Sequence, residues 1–291
     1  MGEASPERGD YAFVAKLDSV KKLSQLQKAI HVKDLATVDI NEMGIRVIVE
    51  EAKCAQAIAF VQRELFDDFV VKDERVVFDI NLKVLLDCLT MFGSSGTAAA
   101  MRMCYSGEGS PLVLFLEEAG VLTDCEIRTL EASDVMDFNL SNDNVINVII
   151  FRSESLKEVW AELDASSETV EILMSPNEPF FRLTTRGTAG IVQVSSVTNR
   201  NCTTRGTAGI VQIEYTKGSE MIDSFDCKML LKTSYKLMLL KHSFKAMNLS
   251  SRVALRTDCH GLLGLQFLIK TDEGVSTFVE FYCTPDETGE D

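Results

Sequence analysis

Two long stretches of this chain follow the same order of structural elements, and this duplication constrains the fold more than any local pattern. Residues 81–121 read NLKVLLDCLTMFG and then AAAMRMCYSGEGSPLVLFLEEAGV, whereas residues 235–275 read YKLMLLKHSFKAM and then SRVALRTDCHGLLGLQFLIKTDEGV. Each stretch begins with an amphipathic helix pattern and continues as three β patterns separated by glycine-containing turns. Because internal duplication decides the architecture before local assignments do, the sequence predicts one structural module used twice.

The composition agrees with two domains of ordinary size. The chain has 291 residues, of which 46% are hydrophobic, and this is enough apolar material for two buried cores. No apolar run approaches the roughly twenty residues that a membrane helix needs, so we expect no membrane partner. The acidic, polar start MGEASPERGD does not resemble a signal peptide, and the eight cysteines include no CxxC pair. We therefore expect free thiols in a reducing compartment.

Periodicity sets the expected fold class. Apolar spacing predicts helices over 20–32, 82–92, 153–166 and 235–247, and Asp18 or Ser19 can cap the first of them. The β patterns between the helices include a hairpin over 36–51. Two helices against many strands in each module indicate the α+β class, with helices packed on antiparallel sheet. The stretch TLEASDVMDFNLSND is acidic and mostly non-periodic, which is typical of a connector between domains. The expected organisation is a disordered start at 1–10, module one over 11–128, this connector over 129–143, module two over 144–284 and an acidic tail over 285–291.

An exact tandem repeat interrupts module two. The decapeptide TTRGTAGIVQ occurs at 184–193 and again at 203–212, a shift of nineteen positions. One interpretation is a local insertion used for binding, and the simpler one is a recent duplication or a gene-model error. Removal of one copy restores a smooth strand–turn–strand pattern, so we expect the surplus residues 194–212 to form a long loop, which compact domains rarely carry.

Signals for catalysis are weak. Asp124 and Glu126 form an Asp-x-Glu pair, the minimal start of a two-metal nuclease site, but no further carboxylates stand at matching positions. On a strand the two side chains would share one face, more plausibly a solvated one. There is no nucleotide-binding glycine motif and no hydrolase nucleophile motif, and only three histidines are present. We therefore predict no catalytic residues, no metal and no cofactor.

Lysines are more informative than the net charge of −15. Lys21 and Lys28 are seven residues apart and share a helix face, and Lys241 and Lys245 are four apart. An ordinary solvated face explains lysines on any single helix, but their recurrence on every predicted helix points to contact with phosphates, for which a locally basic face is enough. The lysines that we expect to face nucleic acid are Lys21, Lys22, Lys28, Lys83, Lys157, Lys241 and Lys245.

Several segments resemble a known family. The duplicated α+β module, the acidic connector and the ending VEFYCTPDETGED are similar to DNA sliding clamps of the proliferating-cell-nuclear-antigen type. Closer still is the Rad-one family of subunits from the heterotrimeric checkpoint clamp, which also contains Rad-nine and Hus-one type subunits. The segments that carry this resemblance are QKAIHVKD, EEAKCAQAIAFVQ, INLKVLLDCLTMFGSS, MRMCYSGEGSPLVLFLEE, NVIN and FVEFYCTPDE.

The resemblance implies a fold and a way of holding DNA. Two modules present four helices to a central hole, and three subunits close a ring around double-stranded DNA independently of its sequence. By position, Lys21, Lys22 and Lys28 match the first inner helix and Lys245 matches the last, whereas Lys241 follows from spacing only. Asp87 stands where the clamp has a lysine, and Lys83 is the candidate substitute.

The resemblance also implies partners. Two paralogous subunits of Rad-nine and Hus-one type would bind at edge strands, which we expect at 112–118 and 180–185, with the contacts made by Leu112, Val113, Leu114, Phe115, Leu116, Phe180, Phe181, Arg182 and Leu183. Repair and checkpoint proteins would dock by peptides at Leu130, Val135, Met136, Phe138 and Pro285, unless these residues simply pack the connector onto the sheet. We expect a nuclear, non-enzymatic checkpoint protein that an ATP-driven clamp loader places on DNA. The alternative is a metal-dependent 3′–5′ exonuclease, a label sometimes given to this family.

Overall fold

The computed structural model describes residues 11–91, 99–138, 140–187, 202–207, 210–215, 218–270 and 276–286, with 202–207 described in their backbone alone. The disorder predicted for 1–10 lies outside these residues, as does most of the acidic tail. The chain divides into two compact units. Unit 1 comprises Met1–Lys53, Ala57–Met136 and Lys270–Val279, and unit 2 comprises Cys54–Gln56, Asp137–Ile269 and Glu280–Asp291.

In chain order, the first half of the molecule alternates one helix with several strands, twice. Its elements are β1 Phe13–Leu17, α1 Val20–Ile30, β2 Leu35–Asn41, β3 Gly44–Glu51, β4 Ala55–Gln62, a 3-10 turn Arg63–Leu65, β5 Asp68–Val71, β6 Arg75–Asn81, α2 Leu82–Met91, β7 Ala100–Tyr105, β8 Leu112–Glu118, β9 Val121–Ile127 and β10 Thr129–Leu130.

The second half has the same kind of alternation. Its elements are β11 Asn147–Arg152, α3 Ser153–Glu162, β12 Thr169–Met174, β13 Phe181–Arg186, β14 Cys202–Thr207, β15 Ile210–Tyr215, β16 Ile222–Cys227, β17 Leu231–Lys236, α4 Leu237–Lys241, α5 Phe244–Met247, β18 Arg252–Thr257, β19 Leu263–Lys270 and β20 Ser276–Cys283.

Antiparallel sheet dominates both units. In unit 1 one sheet has the order β5-β1-β7-β8-β9, and β10-β6-β2-β3-β4 are consecutive neighbours in another. In unit 2 the orders are β14-β15-β13-β12-β17 and β20-β19-β18-β11-β16. The helices are short, and no helix in the described ranges combines the length and apolarity needed to cross a membrane. The protein is therefore an α+β protein made mostly of antiparallel sheet with few helices, as predicted.

Helix α1 illustrates how the local sequence specifies the fold. Val20, Leu23, Leu26 and Ile30 recur at helical spacing, and all four are buried in the core of unit 1, where α1 packs against α2. The predicted cap at Ser19 has the right extended backbone, but its side chain makes no capping hydrogen bond. Burial of the apolar stripe, rather than capping, therefore fixes the position of this helix.

The β2–β3 hairpin is confirmed, and one glycine explains its shape. Gly44 has a φ of +143°, and a Cβ at this position would lie 2.2 Å from the carbonyl oxygen of Val61. Asn41 closes the turn by accepting a hydrogen bond of 2.8 Å from the amide of Met43 through its side-chain oxygen. Only glycine at the start of β3 allows the backbone of β4 to approach this closely.

The helix predicted over 235–247 is wrong in its start and its continuity. Strand β17 runs on to Lys236, because Tyr235 is buried in register with Val170 and donates a 2.7 Å hydrogen bond to the carbonyl of Gly261. The helical turns then split into α4 and α5. Between them Ser243 donates both its amide and its hydroxyl to the carbonyl of Leu240, three residues back, which tightens the chain.

The expected loop over 194–212 is wrong for its second part. Residues Cys202–Thr207 form β14, and Ile210–Gln212 begin β15, which pairs with both β13 and β14. The remaining surplus residues lie outside the described ranges. The seven cysteines described are free thiols, as predicted. They are Cys54, Cys88, Cys104, Cys125, Cys227, Cys259 and Cys283.

Candidate functional site

Helix α1 carries a basic face. Lys21 and Lys28 are exposed and Lys22 is half-buried, while the opposite face is packed into the core of unit 1. The helix VKKLSQLQKAI contains three lysines and no acidic residue. Lys21 and Lys28 therefore present positive charge at an exposed surface, and Lys28 in the last turn also suits the helix dipole.

Helix α2 is electrically neutral. The Nζ of Lys83 lies 2.9 Å from Oδ2 of Asp87, one turn along the helix, and both side chains are exposed. The hydrogen bond with Asp87 raises the pKa of Lys83. The lysine therefore stays charged, and the carboxylate of Asp87 compensates its charge. Because the Lys83–Asp87 ion pair is exposed, it adds little stability. A phosphate that binds Lys83 has to displace the carboxylate of Asp87.

Helix α3 presents an acidic face, which the sequence reading missed. Lys157 is exposed, but Glu154, Glu158 and Glu162 follow one another at four-residue spacing on the same helix. Burial, followed by the charge of Glu158, raises the pKa of Glu162. One lysine against three glutamates makes α3 unsuited to phosphate contact, and this signal was readable from the spacing.

The predicted pair of lysines near the end of unit 2 lies on two helices rather than one. Lys241 ends α4 and is half-buried, whereas Lys245 lies on α5 and is exposed. Neither α4 nor α5 contains an acidic residue, so this segment is basic like α1. Helix α5 is held against α3 by the edge-to-face contact of Trp160 and Phe244, whose ring centres lie 6.0 Å apart.

Neither predicted edge strand is an edge. Strand β8 pairs with β7 on one side and β9 on the other, and β13 lies between β12 and β15. The side chains assigned to subunit contact are therefore buried or half-buried, within the two sheets or, for Phe180, directly before β13. They are Leu112, Val113, Leu114, Phe115, Leu116, Phe180, Phe181, Arg182 and Leu183, of which Arg182 forms a 2.8 Å ion pair with Glu214.

The edges are one strand further out in each unit. In unit 1 the outer strand is β9, whose Val121 and Leu122 are 57% and 74% exposed. In unit 2 the outer strand is β14, which covers β15 from Cys202 opposite Tyr215 to Thr207 opposite Ile210. Sheet order depends on pairing between strands rather than on the alternation along one strand, so the sequence pattern could not separate the edge strands from their inner neighbours.

The predicted peptide-docking residues of unit 1 lie on a firmly attached segment. Leu130 and Met136 are exposed and Val135 is half-buried. Strand β10 pairs with β6, and the buried carboxylate of Asp79 accepts hydrogen bonds from the amide and the hydroxyl of Ser133. The amide of Met136 donates to Glu50 at 2.7 Å. These contacts fix the backbone of 129–136 while leaving apolar side chains at the surface.

The predicted docking residues of unit 2 are packed on that unit. Phe138 is half-buried and stacks on Tyr282, with ring centres 6.2 Å apart. Pro285 is also half-buried and lies beside the Gly261 turn, where a Cβ added to the glycine would be 3.1 Å from its ring. Both side chains therefore contribute to the packing of unit 2 and remain partly accessible.

Asp124 and Glu126 lie on β9 as exposed side chains of one face, which confirms their expected placement. Opposite them on β8 are Phe115 and Val113. Among the described residues, no group of three or more histidine, cysteine, aspartate or glutamate side chains is arranged to hold a metal ion. The described part of the chain therefore adds no third ligand to this pair.

Comparison with known proteins identifies the family. The family model for the repair proteins Rad1/Rec1/Rad17 matches residues 12–269. The cell cycle checkpoint protein RAD1 of Homo sapiens is 47% identical over 284 residues, which cover 97% of this chain and 94% of that protein. The DNA repair protein Rad1 of Drosophila melanogaster is 32% identical over 287 residues, 97% of each chain. The DNA repair exonuclease REC1 of Mycosarcoma maydis is 30% identical over 195 residues, 61% of this chain and 41% of that protein. The chain therefore belongs to the Rad1 family of repair proteins.

Proposed function

We propose that this protein is one subunit of a ring-shaped checkpoint clamp that encircles double-stranded DNA. Membership of the Rad1 family makes it a protein of the DNA-damage checkpoint and of DNA repair. In the proposal the chain has the DNA-clamp fold, with two similar modules over 11–128 and 144–284 joined by the connector 129–143. The repeated alternation of helices and strands supports this arrangement.

The basic face of α1 is the observation that carries the proposal. Three lysines, on a helix that itself contains no acidic residue, lie opposite an apolar stripe that fixes the helix to unit 1. Lysines that contact only phosphates hold DNA without reading its sequence, as a sliding ring requires. Lys245 and Lys241, on helices that lack acidic residues, are the corresponding contacts of unit 2. Lys83 and Lys157 contribute less, because Asp87 and three glutamates counter them.

The ring would close through strand edges. In unit 1 the proposed contact is β9, where exposed Val121 and Leu122 accompany unpaired backbone at the outer side of the sheet. In unit 2 the outer strand is β14, from the second repeat copy. It covers the outer side of β15, and in the proposal it obstructs assembly at this edge. The partners at these edges are two paralogous subunits of Rad-nine and Hus-one type.

The remaining partners follow from the same proposal. A clamp loader places the ring on DNA in the nucleus, and repair and checkpoint proteins dock by peptides. In unit 1 the exposed side chains of Leu130 and Met136 would receive them, with Val135 beside them. In unit 2 the partly accessible side chains are Phe138 and Pro285. In this proposal the protein encircles DNA and recruits other proteins, and it catalyses no reaction.

The contribution of α1 can be tested in the assembled complex. We expect Lys21→Glu with Lys28→Glu to weaken DNA association and to lower the slope of log affinity against log salt by roughly 2, because two phosphate contacts are lost. The matched control is Lys53→Glu with Lys228→Glu, which changes the net charge equally at exposed positions outside the helices. Equal losses in both double variants would show a general charge effect and would overturn the assignment of α1.

A 3′–5′ exonuclease is the alternative, and one relative's name favours it. The Mycosarcoma maydis protein is called a DNA repair exonuclease, and its match covers 61% of this chain. The residues that could act are Asp124 and Glu126, exposed on β9. A metal-dependent exonuclease assay with the purified chain separates the two functions. DNA degradation that disappears in the Asp124→Ala/Glu126→Ala variant would establish the exonuclease. The clamp proposal predicts the same background level of DNA degradation for the unchanged chain and for the variant.

A further inference from the structure

A cavity in unit 1 lies beside a sheet edge that is only partly covered. The cavity has a volume of about 620 Å³ and is lined by four consecutive residues of β6, Arg75 to Phe78, and by Thr129 to Ala132. Strand β2 pairs with β6 along its whole length on one side. On the other side β10 pairs only with Asp79 and Ile80. Within the described chain, no strand pairs with this side of Arg75–Phe78.

The uncovered stretch of β6 is suited to accept an added strand. In an antiparallel ladder every second residue directs its N–H and C=O towards the same neighbour, so four residues offer two donors and two acceptors here. At about 3.3 Å per residue they span roughly 13 Å, which matches an extended tetrapeptide. Strand β10 already pairs with this side of β6 at Asp79 and Ile80, and an added segment would pair with the remaining residues on the same side.

The walls of the cavity are rigid and partly apolar. Phe78 on β6 and Tyr105 on β7 are both buried, and their rings lie 4.4 Å apart. The turn between β7 and β8 is braced by the amide of Ser110, which donates to Gly107, and by the Thr129 hydroxyl, which donates to the carbonyl of Ser110. The shape is therefore set before any ligand binds, which lowers the entropic cost of binding.

The charge around the cavity is acidic. Asp73, Glu108 and Glu131 line it as exposed side chains, and none of them forms an ion pair with a described residue. The cation that lines it, Arg75, is held by Asp39 through bonds of 2.9 and 3.1 Å, so its charge is already matched. Three unmatched carboxylates beside a free strand edge favour a ligand that is both extended and basic.

We propose that this cavity binds an extended basic segment of a partner protein, which adds as a strand to Arg75–Phe78 of β6 and places arginine or lysine side chains among Asp73, Glu108 and Glu131. The backbone hydrogen bonds supply affinity, and the carboxylates select the charge. The segment MGEASPERGD precedes the cavity residue Ala12, but it has three acidic side chains against one arginine. Its charge does not complement the carboxylates of the cavity.

The test uses the full-length chain and three fluorescein-labelled hexapeptides. The first is acetyl-Val-Arg-Val-Arg-Val-Arg, the second replaces each arginine by glutamate, and the third keeps the sequence of the first but carries an N-methyl group on every backbone nitrogen. We expect the first peptide to bind by fluorescence anisotropy at low salt and the second not to bind. The third should lose about tenfold in affinity, because N-methylation removes strand pairing without changing the charge.

Variants locate the site. Glu108→Gln with Glu131→Gln should weaken the basic peptide about tenfold, whereas the matched pair Asp124→Asn and Glu126→Gln, exposed on β9, should change its affinity less than about twofold. Equal losses in both pairs, or full binding of the N-methylated peptide, would show non-specific attraction to an acidic protein and overturn the proposal. Binding that arises only after removal of residues 1–10 would assign the cavity to the chain's own start and overturn it equally.

Discussion

At the residue scale, one buried carboxylate, that of Asp79, decides how the segment 129–136 is held, and the sequence did not reveal it. Asp79 is buried on β6 and accepts a 2.6 Å hydrogen bond from the hydroxyl of Thr37 as well as the two bonds from Ser133. In the sequence it is one acidic residue within an apolar strand pattern. Its role depends on residues 42 and 54 positions away, which only the folded chain brings together.

Replacement of Asp79 should therefore destabilise unit 1. We expect Asp79→Ala to lower the free energy of unfolding by about 3 kcal/mol, because the buried hydroxyl of Thr37 and two donors of Ser133 lose their acceptor. Urea unfolding followed by circular dichroism measures this change. The control Ser133→Ala removes one hydroxyl and should cost about 1 kcal/mol. Equal, small effects of the two substitutions would contradict the anchoring role of Asp79.

The Lys83–Asp87 pair gives a second prediction at this scale. Asp87→Asn removes the charge that holds the lysine amine at 2.9 Å, so Lys83 becomes available to phosphate. In the assembled ring we expect the salt concentration at which half of the DNA dissociates to rise. Glu74→Gln, a charge change on the exposed loop before β6, is the control. An unchanged midpoint in Asp87→Asn would indicate that α2 does not face DNA.

At the element scale, periodicity predicted which segments form helices and strands far better than it predicted their neighbours. The apolar stripe of α1 and the β2–β3 hairpin are local patterns, and the structure confirms both. Sheet order is not local. Strands β8 and β9 are consecutive, and only the pairing shows that β9 is the outer one. The late start of α4 was missed because its cause is the pairing of Tyr235 in β17.

The tandem repeat yields a prediction about edges. Deletion of 194–212 leaves one intact TTRGTAGIVQ followed by Ile213, so a strand equivalent to β15 can still pair with β13. The shortened chain loses β14 and exposes the outer side of that strand. We expect it to bind the partner subunit at the unit 2 edge more tightly, as measured by co-purification and by native mass spectrometry.

The unit 1 edge is the internal control for this deletion. Binding of the other partner through β9 should stay unchanged, because the deleted residues belong to unit 2. Weaker binding at the unit 2 edge, with the free energy of unfolding unchanged, would show that β14 is itself the binding strand. That result would contradict the proposal that β14 obstructs assembly.

At the scale of the whole molecule, an acidic protein can hold DNA because its charge is unevenly distributed. The net charge is −15, yet α1, α4 and α5 carry lysines without a single acidic residue. The duplication predicted the repeated order of elements, and the comparisons show the family. The acidic face of α3 and the acidic cavity of unit 1 show that this division of charge continues elsewhere in the chain.

Retention on circular and linear DNA tests the central claim most directly. The protein is assembled with its two partner subunits at one-to-one-to-one stoichiometry, loaded by the clamp loader onto a nicked plasmid and washed at high salt, where simple electrostatic binding is lost. An encircling ring stays on the closed circle and leaves after a restriction enzyme linearises the plasmid. Equal retention on circular and linear DNA, or failure of the chain to join its partners, would contradict the account.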